Sequence, residues 1–423
     1  MVIIGDYEAA KKHLSRGVTP TFCIPPSYLQ GLRDRFEIDD LESTIAELIN
    51  NVRRTGDTAI HQYNLIFENV ETKYLEMSKQ DIDQAFKEID GTILSALKTT
   101  LQTVTTRLQV QQIAIENLKN SLSKQLLFVP FGKVGVCLPA FANRNLSQIM
   151  MTITLAKLAG VKEINIALPL GANNMIPNTS VAASILAGGH RVFLMSGAQA
   201  VAAFAFGTQT VPKVDKIIGS GNVFSLVAKK MLHGFANIED LTSRGELIII
   251  ADDSSNHQEV IGAITDTARL YPDDYIFLLT TDKPLAEKAC STINGLITDP
   301  IINVSLRNCH LFLVNSIKEA VELTQLYAPG RVLLAVRNSD DHMVTLSNVN
   351  SIIIGIGSIE SVEYLASPLQ VLSSGGTARF NSTLSILTFL KTIELFNYNT
   401  TPIESDLELS LSLVAQTETN ITR

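Results

Sequence analysis

The chain has 423 residues, more than one hydrophobic core usually serves, so two large units are expected. Its residues are 46% hydrophobic and 18% charged, with no tryptophan, which favours a compact α/β interior over a disordered or fibrous protein. A net charge of −8 without long Lys/Arg clusters argues against binding to nucleic acid, and the absence of a long apolar run argues against a membrane span, so a cytoplasmic protein is predicted.

The first strongly periodic segment covers residues 40–56. Its apolar residues recur at spacings of three and four, with acidic residues at the start and a glycine at the end, which predicts a capped amphipathic helix. A longer helical pattern covers about 92–124, and an apolar strand is predicted at 134–138.

From that strand onward, strand-like and helix-like segments alternate with short connections. The alternation is interrupted at 243–245 and then resumes, which indicates two βα units in tandem. Such a pattern predicts parallel sheets covered on both faces by helices. No repeat of 20 to 50 residues is present, so solenoids and propellers are excluded.

Cysteine and histidine are too scattered for an evident metal site. No two cysteines have C-x-x-C spacing, so neither a zinc knuckle nor a disulfide framework is indicated. No two histidines lie three or four residues apart, and none follows His342. The histidines are His13, His61, His190, His233, His257, His310 and His342.

A glycine-containing turn lies between a predicted strand and a predicted helix. Gly219 and Gly221 would allow the backbone to approach a ligand, and the free N–H groups of the helix that begins near Val223, after Asn222, would attract phosphate. An ordinary tight turn has the same composition, so both interpretations stay open.

Five segments together resemble one family. They are VRRTGDTAIHQYNLIFENV at 52–70, SGAQAVAAFAFGTQTVPKVDKIIGSGN at 196–222, GELIIIAD at 245–252, YAP at 327–329 and SGGTARFNSTLS at 374–385. On these the chain resembles the histidinol dehydrogenases, NAD- and zinc-dependent enzymes that oxidise an amino alcohol to a carboxylate through an aldehyde. The resemblance implies an α/β fold with two incomplete Rossmann-like domains, and an intertwined homodimer.

The resemblance also implies domain boundaries. A first Rossmann-like domain would comprise 36–131 and 245–372, and a second, inserted domain would comprise 132–244. An N-terminal arm at 1–35 and a C-terminal helical tail at 373–423 would complete the chain.

The residues that the family uses for chemistry are largely replaced. Where the family has Gln-Ala-Glu-His, with two zinc ligands, this chain has Thr-Ala-Arg-Leu at 267–270. Leu270 cannot bind a metal, and Arg269 adds a fixed positive charge. The family's proton-handling Glu-His pair is Gly330 and Arg331 here, and neither can act as acid or base. No catalytic residue and no zinc are therefore predicted.

Some family positions keep their polar character. If one residue is deleted between 355 and 363, Glu363 and Tyr364 match an aspartate that binds zinc and the tyrosine that follows it. Gln199 and Asn222 match residues that contact the dinucleotide, although Phe141 stands in a turn that is glycine-rich in the family. NAD binding is therefore expected to be possible but weak, and both retained and abolished binding stay open. Hydrogen bonding at a helix start by Gln199 and helix capping by Asn222 are the structural alternatives.

Three functional hypotheses follow. The first is a pseudoenzyme or repurposed homologue, whose pocket is either unused or binds another small molecule. Arg269 and Arg331 would suit a small carboxylate or phosphate in that pocket. The alternative is that these arginines are exposed to solvent or paired with Glu363. The second is an NAD-dependent oxidoreductase with metal-independent chemistry, with Glu363 as base and Tyr364 as acid. The third is authentic histidinol dehydrogenase activity.

Overall fold

The protein is a mixed α/β chain in which two parallel sheets are flanked by helices, as predicted. The structure, a computed structural model, describes a set of ranges separated by short gaps. The ranges are 4–15, 38, 40–123, 125–138, 146–170, 177–219, 221–239, 245–271, 274–296, 306, 308–355, 357, 375–397 and 405–420.

The N-terminal part is mostly helical. Its elements are β1 (Ile4–Gly5), α1 (Tyr7–Leu14), α2 (Leu41–Thr55), α3 (Asp57–Glu68), α4 (Lys79–Lys87) and α5 (Gly91–Leu122). Helix α2 confirms the prediction for 40–56: the carboxylate of Asp40 accepts from the backbone N–H groups of Glu42 and Ser43, and Gly56 ends the helix at φ 60°. Its periodic apolar residues are all buried.

The central part builds a five-stranded parallel sheet in the order β5-β4-β3-β6-β7. Its elements are β2 (Leu126–Pro130), β3 (Lys133–Cys137), α6 (Leu146–Ala159), β4 (Glu163–Leu168), α7 (Asn178–Ala187), β5 (Arg191–Leu194), α8 (Gly197–Phe206), β6 (Lys216–Ile218), α9 (Val223–Leu232) and β7 (Asn237–Ile238). The chain adds strands on one side of β3 and then on the other, so the carboxyl ends of β3 and β6 flank a crevice of the kind that holds nucleotides in such sheets.

The following part builds a six-stranded parallel sheet in the order β1-β10-β9-β8-β11-β12. Its elements are β8 (Glu246–Ala251), α10 (His257–Leu270), β9 (Tyr275–Thr280), α11 (Lys283–Leu296), β10 (Cys309–Leu313), α12 (Ile317–Tyr327), β11 (Arg331–Ala335), α13 (Ser339–Met343) and β12 (Ser351–Ile354). Residues 247–251 of β8 are all fully buried, because helices cover both faces of the sheet.

The packing of the N-terminal elements differs from the predicted grouping. Helices α2 and α3 share one apolar core with α8 and α9, and α5 shares another with β3 and β4. Strand β1 instead pairs with β10, and α1 packs into the core of the six-stranded sheet. The domain boundaries stay a prediction, and we propose that 41–122 belongs with the five-stranded sheet and 4–14 with the six-stranded sheet.

The C-terminal tail is only partly helical, which corrects the expectation of a helical tail. Two 3₁₀ helices, Thr377–Arg379 and Ile386–Phe389, lead into β13 (Leu390–Glu394), and α14 (Ser405–Asn420) follows. Strand β13 pairs antiparallel with β2. The backbone groups of β2 thereby gain hydrogen-bond partners that a helix could not supply, because a helix uses its own backbone groups internally. Among the described residues, no helix is long and apolar enough to cross a membrane.

Candidate functional site

The segments that carry the family's chemistry meet at the amino end of the six-stranded sheet. Arg331 begins β11, opposite Leu247 of β8, and only 1% of it is exposed. Its guanidinium forms an ion pair with Asp274 through Nη2, and the guanidinium carbon lies 5.2 Å from the centre of the Tyr271 ring. Since Tyr271 directly follows α10, the structure places 267–271 next to Arg331.

Asp274 is held from two sides. Besides its ion pair with Arg331, its carboxylate accepts from the backbone N–H of Gly245 at 2.9 Å. Position 245 favours glycine, because a Cβ there would collide with this carboxylate. The ion pair is therefore fixed to the start of both β8 and β9.

The residues at the positions that the resemblance assigns to zinc ligands make other contacts. The hydroxyl of Thr267 is buried and donates to the carbonyl of Ala263 at 2.7 Å, within α10. Leu270 packs against the apolar core of the sheet, and Arg269 is exposed to solvent. Leucine has no atom that binds a metal, the Thr267 hydroxyl is used within α10, and the nearby guanidinium of Arg331 has no lone pair to offer, so the described residues here do not fit zinc.

The guanidinium of Arg331 is incompletely satisfied by the residues that the structure describes. Nε and Nη1 are shielded from solvent, and neither has a hydrogen-bond partner among those residues. A buried donor without a partner costs about 1–3 kcal/mol of folding free energy. Glu363 and Tyr364, the other predicted pocket residues, lie outside the described residues.

The opposite face of the same sheet edge carries a second buried carboxylate. Glu246 accepts from the Tyr327 hydroxyl at 3.2 Å and from the backbone N–H of Gly375 at 2.9 Å. It thereby ties the end of α12 and the start of the C-terminal tail to β8. Neither Glu246 nor Asp274 was singled out from the sequence, because only strand register brings them to this edge.

At the five-stranded sheet, the predicted glycine turn lies at the carboxyl end of β6, beside β3. Gly219 has φ 112°, and a Cβ there would overlap the carbonyl oxygen of Cys137. A Cβ on Gly221 would overlap the side chain of Ser225. The buried ammonium of Lys229 donates to the carbonyl of Gly219. The turn is thus held rigidly at the crevice between β3 and β6.

Asn222 and Gln199 both have structural partners, as the alternatives from the sequence allowed. The Asn222 side chain caps α9 by accepting from the backbone N–H of Ser225 at 3.1 Å. The buried amide nitrogen of Gln199 donates to Asn64 at 3.1 Å and to Glu68 at 2.9 Å. Because an amide nitrogen has two hydrogens, these bonds use both, and only the oxygen of Gln199 is left for a ligand.

Glu68 is the centre of the network that holds Gln199. Its Oε1 also accepts from the Ser196 hydroxyl at 2.5 Å. Burial raises the pKa of Glu68, although the hydrogen bonds from Ser196 and Gln199 act in the opposite direction. This network connects α3 to the start of α8.

Comparison with known proteins matches nearly the whole chain to one family. The family model for histidinol dehydrogenase matches residues 32–419. The histidinol dehydrogenase of Dehalococcoides mccartyi strain CBDB1 is 33% identical over 401 residues, which are 93% of this chain and 92% of the relative. That of Clostridium acetobutylicum is 32% identical over 382 residues, which are 88% of this chain and 89% of the relative.

A solved structure shows the same fold. The histidinol dehydrogenase of Elizabethkingia anophelis superposes with a TM-score of 0.71 at 23% identity, and the match covers 89% of each chain. The chain therefore belongs to the histidinol dehydrogenase family.

Proposed function

We propose that this chain is a family member that does not carry out zinc-dependent histidinol oxidation. Its pocket is either unused or binds another small molecule. The buried guanidinium of Arg331 carries the proposal. A guanidinium has no lone pair to offer a metal ion, and this one also engages the neighbouring carboxylate of Asp274 in an ion pair. The resemblance implies that Thr267 and Leu270 replace two zinc ligands of the family, which supports the proposal further.

Proton transfer lacks suitable groups as well. Oxidation of an alcohol by hydride transfer needs a group that accepts the hydroxyl proton. At this edge of the sheet, Asp274 is bound to Arg331 and Gly245, and Glu246 is bound to Tyr327 and the chain at 375. Both described carboxylates are thus part of the scaffold, which supports loss of the family's proton relay.

A second candidate function is an NAD-dependent oxidoreductase with metal-independent chemistry. The rigid Gly219 turn at the crevice between β3 and β6 favours it, because helix N–H groups beside such a turn suit a dinucleotide phosphate. The commitment of the Gln199 amide to Asn64 and Glu68 argues for weak NAD binding. In this hypothesis Glu363 is the base and Tyr364 is the acid.

We also propose that the chain forms a homodimer, as the family resemblance implies. Several large apolar side chains of the C-terminal tail are exposed in the single chain, which supports a partner surface there. They are Ile393, Leu409, Leu411, Leu413 and Val414.

The test combines metal analysis with a hydride-transfer assay. The purified protein is given zinc, histidinol and NAD, and NADH is followed by absorbance, with the D. mccartyi relative as the positive control. We expect no retained zinc and no NADH from this chain. Retention of about one zinc per chain with turnover would contradict the proposal. Turnover without zinc that is lost in Glu363→Gln would instead support the second candidate.

A further inference from the structure

The guanidinium of Arg331 offers hydrogen-bond donors that the described residues leave open. Nη2 binds Asp274, while Nε and Nη1 have no partner within the ranges that the structure describes. The five N–H bonds of a guanidinium lie in one plane, and the centre of the Tyr271 ring is 5.2 Å from the guanidinium carbon. A ligand can therefore satisfy the open donors only from the edge, in the plane of the group.

Two backbone carbonyl groups beside Arg331 already accept hydrogen bonds from backbone N–H groups. The carbonyl of Thr267 in the last turn of α10 accepts from the backbone N–H of Tyr271 at 2.8 Å. The carbonyl of Tyr271 in turn accepts from the backbone N–H of Asp274 at 3.1 Å. These two carbonyls are thus used within the turn that follows α10, and Gly330, which precedes Arg331, has no side chain to contribute.

We propose that Arg331 anchors a binding site for a small carboxylate ligand. The inference rests on the proposed function, since it assigns the pocket that a metal no longer fills. The open N–H bonds of Nε and Nη1 lie on different edges of the guanidinium, so a carboxylate oxygen in the plane of the group accepts from one of them in a charge-assisted hydrogen bond. The ion pair with Asp274 neutralises one unit of charge, and the exposed Arg269 in the last turn of α10 adds positive potential that attracts an anion.

The roles of the two arginines differ in this site. Arg331 is buried and supplies the hydrogen bonds, whereas Arg269 is exposed and acts only through its field, which salt screens. Replacement of Arg331 by lysine keeps the charge next to Asp274 but removes the donors at Nε and Nη1. Arg331→Lys and Arg269→Ala therefore separate recognition from general attraction.

The experiment uses sodium acetate as the probe, with sodium chloride at the same ionic strength as the reference, at neutral pH. Thermal unfolding is followed for the full chain, and the Nε–Hε signal of Arg331 is followed by NMR on protein with ¹⁵N-labelled arginine. We expect acetate to raise the Tm relative to chloride and to shift that one signal in a saturable manner. Affinity should fall at least about tenfold in Arg331→Lys and change little in Arg269→Ala at moderate salt.

Two results would overturn the inference. One is a wild-type Arg331 signal and Tm that acetate leaves unchanged relative to chloride. The other is an equal loss of acetate binding in Arg269→Ala and Arg331→Lys, which would show only general attraction. The NMR signal is read on the wild-type protein, so the conclusion does not depend on whether a variant folds. Zinc content and NADH formation are measured on the same preparation, so failure of the proposed function is recognised separately.

Discussion

Removal of the Arg331 side chain tests whether the buried ion pair is formed. Arg331→Met breaks the pair with Asp274, and loss of one partner of a buried pair costs about 3–5 kcal/mol. Loss of the contact with the Tyr271 ring adds about 0.5–2 kcal/mol. The change also removes the open donors at Nε and Nη1, which returns about 1–3 kcal/mol. We expect a net loss of about 2–4 kcal/mol in the free energy of unfolding.

Urea unfolding followed by circular dichroism measures this loss, at one protein concentration because the chain is proposed to dimerise. Asp274→Asn keeps an oxygen for the N–H of Gly245, so it completes a double-mutant cycle with Arg331→Met. The coupling energy should be about 1–3 kcal/mol. The exposed pair of Arg337 and Asp253, whose side chains are 69% and 81% exposed, is the matched control and should couple by less than about 1 kcal/mol.

Two outcomes would refute the reasoning. If Arg331→Met costs less than about 1 kcal/mol, the guanidinium is not a buried, paired cation. If the two single changes add without coupling, Asp274 is not its partner. Either result would also remove the main support for exclusion of a metal ion from this pocket.

Two further predictions concern other parts of the chain. Gly219→Ala should destabilise the protein by clearly more than Gly234→Ala, measured by urea unfolding, because both glycines have positive φ near 110° but only the first would meet neighbouring atoms, while Gly234 faces open space. Burial lowers the pKa of His310 to about 4, whereas an unfolded histidine titrates near pH 6.5. The folded state therefore binds fewer protons between these values, and the free energy of unfolding should fall by about 1–3 kcal/mol, after a discount for partial exposure, as the pH drops from about 6.5 to about 4.

Each of these predictions has a matched comparison. Equal losses in the two glycine variants would contradict the crowding at Gly219, since strain from positive φ is common to both. His310→Phe keeps a flat ring against its aromatic neighbours and should make the loss of stability over this pH range smaller, while the part from His13, whose pKa burial also lowers, remains. A change of the exposed His233 to asparagine should leave the pH dependence unaltered, and a slope in His310→Phe equal to that of the unchanged protein would count against the prediction.

Regular elements were predictable because local patterns encode them. The helix that begins after Asp40 has a capping carboxylate, a periodic apolar stripe and a terminal glycine, and all three features have the predicted role. The alternation of strands and helices likewise follows from runs of apolar residues between turns. The prediction for the C-terminal tail was wrong at β13, because this segment, predicted to be helical, pairs with β2, more than 250 residues earlier in the chain. Tertiary pairing outweighed local preference there.

Contacts between distant residues were not predictable. The histidines are dispersed along the sequence, yet the rings of His13 and His310 lie 4.1 Å apart, because β1 and α1 dock beside β10. The Gln199 amide reaches Asn64 across 135 positions of the chain. Sequence spacing has no information on such pairs, since they depend on which helices cover which sheet.

The sequence by itself determined the α/β class and the family, and it predicts that the family's metal-binding and proton-handling residues are replaced at 267–270 and 330–331. Only the tertiary structure distinguished the two arginines that the sequence left equivalent. Arg269 lies on the outward side of α10 and is exposed, whereas Arg331 begins an inner strand and is buried against Asp274 and Tyr271. The physical reason is that residue type determines what a side chain can do, while its environment, set by packing across the chain, determines whether its charge is solvated, paired or available to a ligand.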